Sequence, residues 1–204
     1  AVLGLDDPTG VRHSITNRLG VDVFEIPMGP PSVPGMRLEA IYERTLSDAG
    51  VLVETGNPVV GVECDSDQED DQSTATAALV DRQGSEISYA ASQFVLATGG
   101  LVGQGIASDR ETVHEPVFDC QVAHPEDRMA WSEPAAFGDH AFPRFGVETD
   151  DRLRPLDANG RPEFDNLRAA GAVLSGYDFA AEKSGAGVSL ATGYQAGTLA
   201  GENA

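Results

Sequence analysis

The chain has 204 residues, 41% of them hydrophobic, enough apolar material for one or two globular cores. Thirty-three acidic residues face 13 basic ones, and the formal net charge of −20 excludes nucleic acid and anionic membrane surfaces as partners. Lys183 is the only lysine, and the carboxylates are spread along the chain instead of clustered as cation ligands, which is the pattern of a protein from a salt-saturated cytoplasm.

Residues 1–20 are mixed in polarity, with Pro8-Thr-Gly10 expected as a turn and 11–19 as a short helix. Residues 21–26 alternate apolar and polar, as a half-buried strand would. They run into 27–35, where four prolines predict an extended path, either a rigid linker or a loop beside a substrate pocket. Leu38, Ile41, Tyr42, Leu46 and Ala49 recur at helical spacing and Gly50 follows as a stop, so a helix is expected over 36–49. Four short runs, 51–54, 59–64, 75–81 and 86–89, are separated by turn residues and read as an antiparallel meander. The acidic run Asp65-Ser-Asp-Gln-Glu-Asp-Asp71 lacks the glycine and the distal glutamate of a calcium loop and reads as a solvated hairpin tip.

Phe94-Val-Leu-Ala-Thr-Gly-Gly100 is an apolar strand running into a permissive turn, the place where open α/β sheets bind ligands. Residues 101–162 are rich in turns and carry His114, His124 and His140, whose spacing fits no compact metal site. Trp131, Phe137, Phe142 and Phe145 give this segment aromatic mass, read as core or subunit interface; the whole is expected to be a small cap or substrate subdomain. Residues 166–171 read as strand and turn, and 172–184 as a loop. From Ser184 onward the chain predicts a helix entered through glycines, whose uncapped N–H groups and dipole suit an anionic ligand. Ser189, Gly193, Gly197 and Gly201 fall four apart on one face of it, and three helix-interior glycines there predict close packing against another element.

The Ala97-Thr-Gly-Gly100 turn and the final glycine-rich helix together resemble the FAD-binding flavoproteins of the fumarate reductase and glutathione reductase type. Four further stretches are similar to the B-subunit family of the anaerobic glycerol-3-phosphate dehydrogenases. They are Pro30-Pro-Ser-Val-Pro-Gly-Met-Arg-Leu38, Glu111-Thr-Val-His-Glu-Pro116, Phe145-Gly-Val-Glu-Thr-Asp-Asp-Arg-Leu-Arg-Pro155 and Gly171-Ala-Val-Leu-Ser-Gly-Tyr-Asp178. The resemblance implies an α/β fold, the carboxyl-terminal part of a two-dinucleotide-binding-type flavoprotein, with the antiparallel meander and the cap as additions. Its domains would be 1–35, the end of the cap and a proline-rich loop; 36–100, helix, meander and flavin strand; 101–162, cap; and 163–204, returning strand and helix. Flavoproteins of this type carry a G-x-G-x-x-G turn at the amino terminus. None opens this chain, so it is expected to be the carboxyl-terminal half of a longer protein.

The resemblance further implies FMN, or FAD, held in the full-length protein by Ala97, Thr98, Gly99, Gly100, Gly171, Gly185, Gly187, Val188 and Ser189, with none held tightly by this portion alone. Glycerol 3-phosphate would need cations for its phosphate and a base for its hydroxyl proton. Arg37, Arg110 and Arg154 are the phosphate candidates and His114 or Glu115 the base. The implied partners are a catalytic flavoprotein, the A subunit of such an enzyme, and its iron–sulfur C subunit, in the cytoplasm or peripherally at the inner face of the membrane. No signal peptide and no run of about 20 apolar residues is seen. Cys64 and Cys120 indicate neither a disulfide framework nor a metal site. Two other readings of the chain are a different flavin oxidoreductase and a non-catalytic scaffold that docks the catalytic flavoprotein.

Overall fold

The computed structural model describes residues 3–26, 29, 31–66 and 72–203, and the chain divides into two compact units, Ala1–Gly56 and Asn57–Ala204. In the first unit α1 spans Pro8–Leu19 and α2 spans Val33–Asp48. Both begin earlier than the sequence suggests, for the same reason. The Asp7 carboxylate accepts from the Gly10 N–H at 2.8 Å and the Ser32 hydroxyl oxygen accepts from the Gly35 N–H at 3.2 Å. Each cap starts a helix whose first turn contains a proline, Pro8 or Pro34, where a missing N–H costs nothing. Pro8-Thr-Gly10 is therefore helix and not turn, and Pro34 lies inside α2, not on an extended path; Pro27 and Pro30 fall outside the described residues.

Residues 22–26 and 51–54 form no strand. Alternating polarity supplies a face, but a strand also needs a neighbouring strand, and among the described residues neither segment joins a sheet. Phe24, Ile26 and Leu52 are exposed, as is the apolar stripe Leu38, Ile41, Tyr42 of α2. Leu3 is the only buried residue of this unit among those described.

The second unit is built on the meander β1 (Val59–Ser66), β2 (Ser73–Arg82) and β3 (Ser85–Ala90), antiparallel in that order. β2 and β3 are joined by a two-residue turn with Gln83 and Gly84 both at positive φ, 55° and 86°. The acidic tip falls largely on residues 67–71, outside the described ones. β4 (Phe94–Leu96) and β9 (Leu167–Ala169) lie side by side in parallel, Phe94 against Leu167 and Leu96 against Ala169. A parallel pair needs a long crossover, and it is the turn-rich segment that crosses over.

That segment holds the hairpin β5 (Ala107–Ser108) and β6 (Val113–His114), and the pair β7 (Val122–Ala123) and β8 (Gly146–Val147). Its Ile106, Val113, Cys120, Val122, Phe145 and Val147 share one core with Phe94, Leu96, Leu167 and Ala169. The meander joins this core through Ala75, and Asn166 fixes the joint. The buried Asn166 carboxamide accepts from the Ala75 N–H at 3.0 Å and donates to the Ala75 carbonyl at 2.7 Å and the Ser92 carbonyl at 3.0 Å.

The 172–184 stretch, expected as a loop, holds a 3-10 turn at Gly171–Val173 and a short helix, α3 (Phe179–Glu182). Asp178 caps α3, its Oδ1 accepting from Ala180 and Ala181 at 3.0 Å each, while Glu182 Oε1 accepts from the Asp178 N–H at 3.0 Å. The final helix, α4 (Gly185–Gly201), forms as expected. Among the described residues its glycine stripe meets no packing partner. A Cβ at Gly193, Gly197 or Gly201 would meet nothing within 4 Å, whereas Ala196 is fully buried against Leu153 and Ala170. The face running through Thr192 and Ala196 is the one that docks, because Thr192 Oγ1 accepts from the Gly171 N–H at 2.9 Å and holds that side of α4 on β9. The glycine stripe is open.

Candidate functional site

The parallel pair and α4 together define one place in the second unit. Gly99, just beyond β4, sits at φ +91°, a conformation that favours glycine, and turns the chain back on itself. A Cβ at Gly100 would come within 2.7 Å of the Ala172 carbonyl oxygen, so this residue permits the turn after β4 to lie on the turn after β9. Gly171, at φ +76°, sits beneath Ser189 of α4. Ser184 precedes α4 without any side-chain cap, so the first N–H groups of a 17-residue helix are left with no capping acceptor.

A cavity of about 650 Å³ opens between these parts, within the range that takes a drug-sized or cofactor-sized ligand. Gly99, Gly100, Gly185 and Ser189 are on its wall. The other walls are largely apolar and include Phe137, Phe142, Phe145 and Phe179, with Tyr177, Asp178 and His140 among them. Three of the four aromatic residues expected as core or interface therefore face this cavity; Trp131 instead donates from Nε1 to the Pro125 carbonyl at 2.7 Å and packs edge-on to Phe145.

Other sequence-derived candidates stand apart from the cavity wall. Thr98 and Val188 adjoin lining residues and Ala97 and Gly187 lie one position farther off, none of the four lining it itself, and a Cβ at Gly187 would meet open space. His114 lies exposed on β6. Glu115 is buried, and its carboxylate accepts from the Val117 N–H at 2.9 Å and the Phe118 N–H at 2.7 Å, which makes it a turn cap. Arg154 is held by Asp150 at 2.7 Å. Against the effect of burial, the hydrogen bonds from Arg154 and Arg152 keep the Asp150 carboxyl below its ordinary range. Arg110 is exposed. Arg37 belongs to the first unit, where it bonds Glu25 at 2.7 Å and the Gly4 carbonyl at 2.9 Å. Cys120 supplies no nucleophile: burial, and then Glu163 and Glu115, push its thiol far up, so it stays protonated.

Tyr177, Asp178, His140 and Phe179 were not singled out by sequence pattern as site residues. Asp178 had a readable signal, an N-cap aspartate with a glutamate four residues on. The others had none, since a cavity wall assembled from loops has no period.

A ligand cavity at the carboxyl end of a parallel strand, faced by an uncapped glycine-entered helix, is an arrangement suited to a nucleotide cofactor. The chain belongs to the FAD binding domain family, whose model matches residues 1–188. It is 56% identical over 202 residues to the probable B subunit of the anaerobic glycerol-3-phosphate dehydrogenase of Halobacterium salinarum, covering 99% of this chain and 46% of that protein. It is 33% identical over 190 residues to the B subunit of the anaerobic glycerol-3-phosphate dehydrogenase of Yersinia enterocolitica, covering 93% of this chain and 42% of that one, and equally to its counterpart from Pectobacterium atrosepticum, covering 93% and 43%. The chain thus spans somewhat under half the length of the curated relatives it matches. No solved structure matches it significantly. Among the described residues no helix is long and apolar enough to cross a membrane.

Proposed function

We propose that this chain is the flavin-contacting portion of the B subunit of an anaerobic, quinone-linked glycerol-3-phosphate dehydrogenase. The observation that carries the proposal is the 650 Å³ cavity faced by Gly99 and Gly100 on one side and by the start of α4, Gly185 and Ser189, on the other. Flavin fits these residues. Aromatic walls exclude water from a flat ring, the glycines allow close backbone approach, and the α4 amino terminus favours negative charge on whatever it faces.

When bound, FMN or FAD would supply the hydride and electron chemistry. The residues of this chain would hold it: Ala97 to Gly100 and Gly171 on one side, and Gly185, Gly187, Val188 and Ser189 on the other. The start of α4 would stabilise a developing anion, while Phe142, Phe145 and Phe179 would keep solvent out. The names of the relatives favour a part in the dehydrogenation of glycerol 3-phosphate; its product would be dihydroxyacetone phosphate, and the family resemblance implies electrons passed through an iron–sulfur C subunit toward quinone. A catalytic A subunit would assemble with this protein at the inner face of the membrane, and residues 101–162 would act as its cap.

A second reading, relay of electrons received from the catalytic flavoprotein, is favoured by one feature. The carboxylate and imidazole on the cavity wall are Asp178 and His140, and neither Arg110 nor Arg154, of the same unit, lies there to take a phosphate. An absorption spectrum of the full-length protein before and after glycerol 3-phosphate tests both readings. Bleaching of a flavin band is expected for catalysis, and an unreduced flavin for relay; absence of flavin would leave only a scaffold and overturn the proposal.

A further inference from the structure

Four polar side chains line the cavity, those of His140, Tyr177, Asp178 and Ser189, and folding already engages two of them. His140 has both ring nitrogens engaged: Nδ1 accepts from the Glu133 N–H at 3.0 Å, so Nε2 carries the proton and faces the Ala136 carbonyl at 3.2 Å. Asp178 spends Oδ1 on the two amides of α3. Tyr177 differs. Its ring is half-buried on the cavity wall, yet its hydroxyl oxygen is buried with no hydrogen-bond partner among the described residues.

A stranded buried hydroxyl destabilises a fold, and phenylalanine would fill the same space without that loss. What tyrosine adds at this position is therefore a hydrogen bond to something outside the fold of this unit. Burial, with Glu182 second, raises the phenol above its ordinary range, so at neutral pH the group is a hydrogen-bond donor and not a phenolate. Its place in the chain suits the role. Tyr177 lies in the short connection from β9 to α4, between Gly171 under Ser189 and Gly185 at the cavity wall.

We propose that Tyr177 is a ligand-recognition residue: as a ligand enters the cavity, the ring turns and its hydroxyl donates to an acceptor oxygen of that ligand. The turn is part of the proposal, because the oxygen is sealed from water while the ring lines the cavity. Two sources of the oxygen share this chemistry, a carbonyl of the flavin ring and an oxygen of the phosphorylated three-carbon alcohol. The proposal rests on the flavin reading of the cavity.

The test compares the full-length protein with its Tyr177→Phe variant in three measurements: melting after removal of flavin, flavin affinity by fluorescence titration, and binding of glycerol 3-phosphate to the flavin-loaded protein. The flavin-free variant is expected to melt at the same or a higher temperature. Flavin affinity falls roughly three- to tenfold if the oxygen is the flavin's, and glycerol 3-phosphate affinity falls by a similar factor if it is the substrate's. Both affinities unchanged, with or without a drop in the flavin-free melting point, would overturn the role of Tyr177 while leaving the flavin reading intact. A wild-type protein that binds neither molecule would overturn both.

Discussion

The two units of this chain hold their shape by different means. In Ala1–Gly56 the helices are secured locally, by Asp7 and Ser32 at their starts and by Gly20 and Gly50 at their ends, while Leu3 alone among the described residues is buried. In Asn57–Ala204 the strands are often two or three residues long and are secured by a common core to which six short segments contribute. Helix form can thus be set by a few capping residues, but a cavity needs partners far apart in sequence. The cavity accordingly lies wholly within the second unit, where Gly99 and Gly185 are brought to one place.

Removal of the same side chain from each unit should have unequal effects. Leu167 is completely buried in the second unit and Leu38 is 55% exposed on α2. Leu167→Ala is expected to cost about 2–5 kcal/mol, and Leu38→Ala no more than about 0.5 kcal/mol, by denaturant unfolding of the 204-residue chain in molar KCl. Equal costs would mean that the first unit has a core of its own. Removing the cap of α1 with Asp7→Ala should cost about 1 kcal/mol and show as lost far-UV helicity, because that carboxylate alone holds the Gly10 amide. Unchanged helicity would show that α1 is held by contacts and not by its cap. The smallest effect belongs to the open face of α4: Gly197→Ala should stabilise the chain by about 0.5–1 kcal/mol, since the added methyl meets nothing and the helix gains propensity. Loss of stability in the full-length protein but not in this chain would locate a partner element on that face.

The elements beside the cavity that were legible in the sequence are those with a local signature. The strand into Ala97-Thr-Gly-Gly100 and the glycine entry to α4 are each contiguous, and each was placed where the structure has it. Their meeting in one cavity was implied by resemblance and not by either segment alone. The candidates for substrate binding show what a sequence leaves out. Arg154 and Glu115 carry the right chemistry for binding phosphate and moving protons, but Arg154 is held by Asp150 and Glu115 by two backbone amides. Charge type is visible in a sequence, whereas the partner that consumes it is not.

Local patterns by themselves determined the helices over residues 8–19 and 33–48 to within a few positions, the meander from 59 to 90, and the helix beginning at Gly185. Composition determined an acidic surface of net charge −20. Tertiary structure alone decided that residues 22–26 and 51–54 are not strands, since a strand exists only by its neighbour. It also decided that α4 docks through Thr192 and Ala196 and leaves its glycines open. Four-residue spacing defines a face but does not say which face is covered. The same holds for Tyr177: its ring could be read from the sequence as one more aromatic residue, while the unsatisfied hydroxyl exists only once the surrounding chain has closed over it.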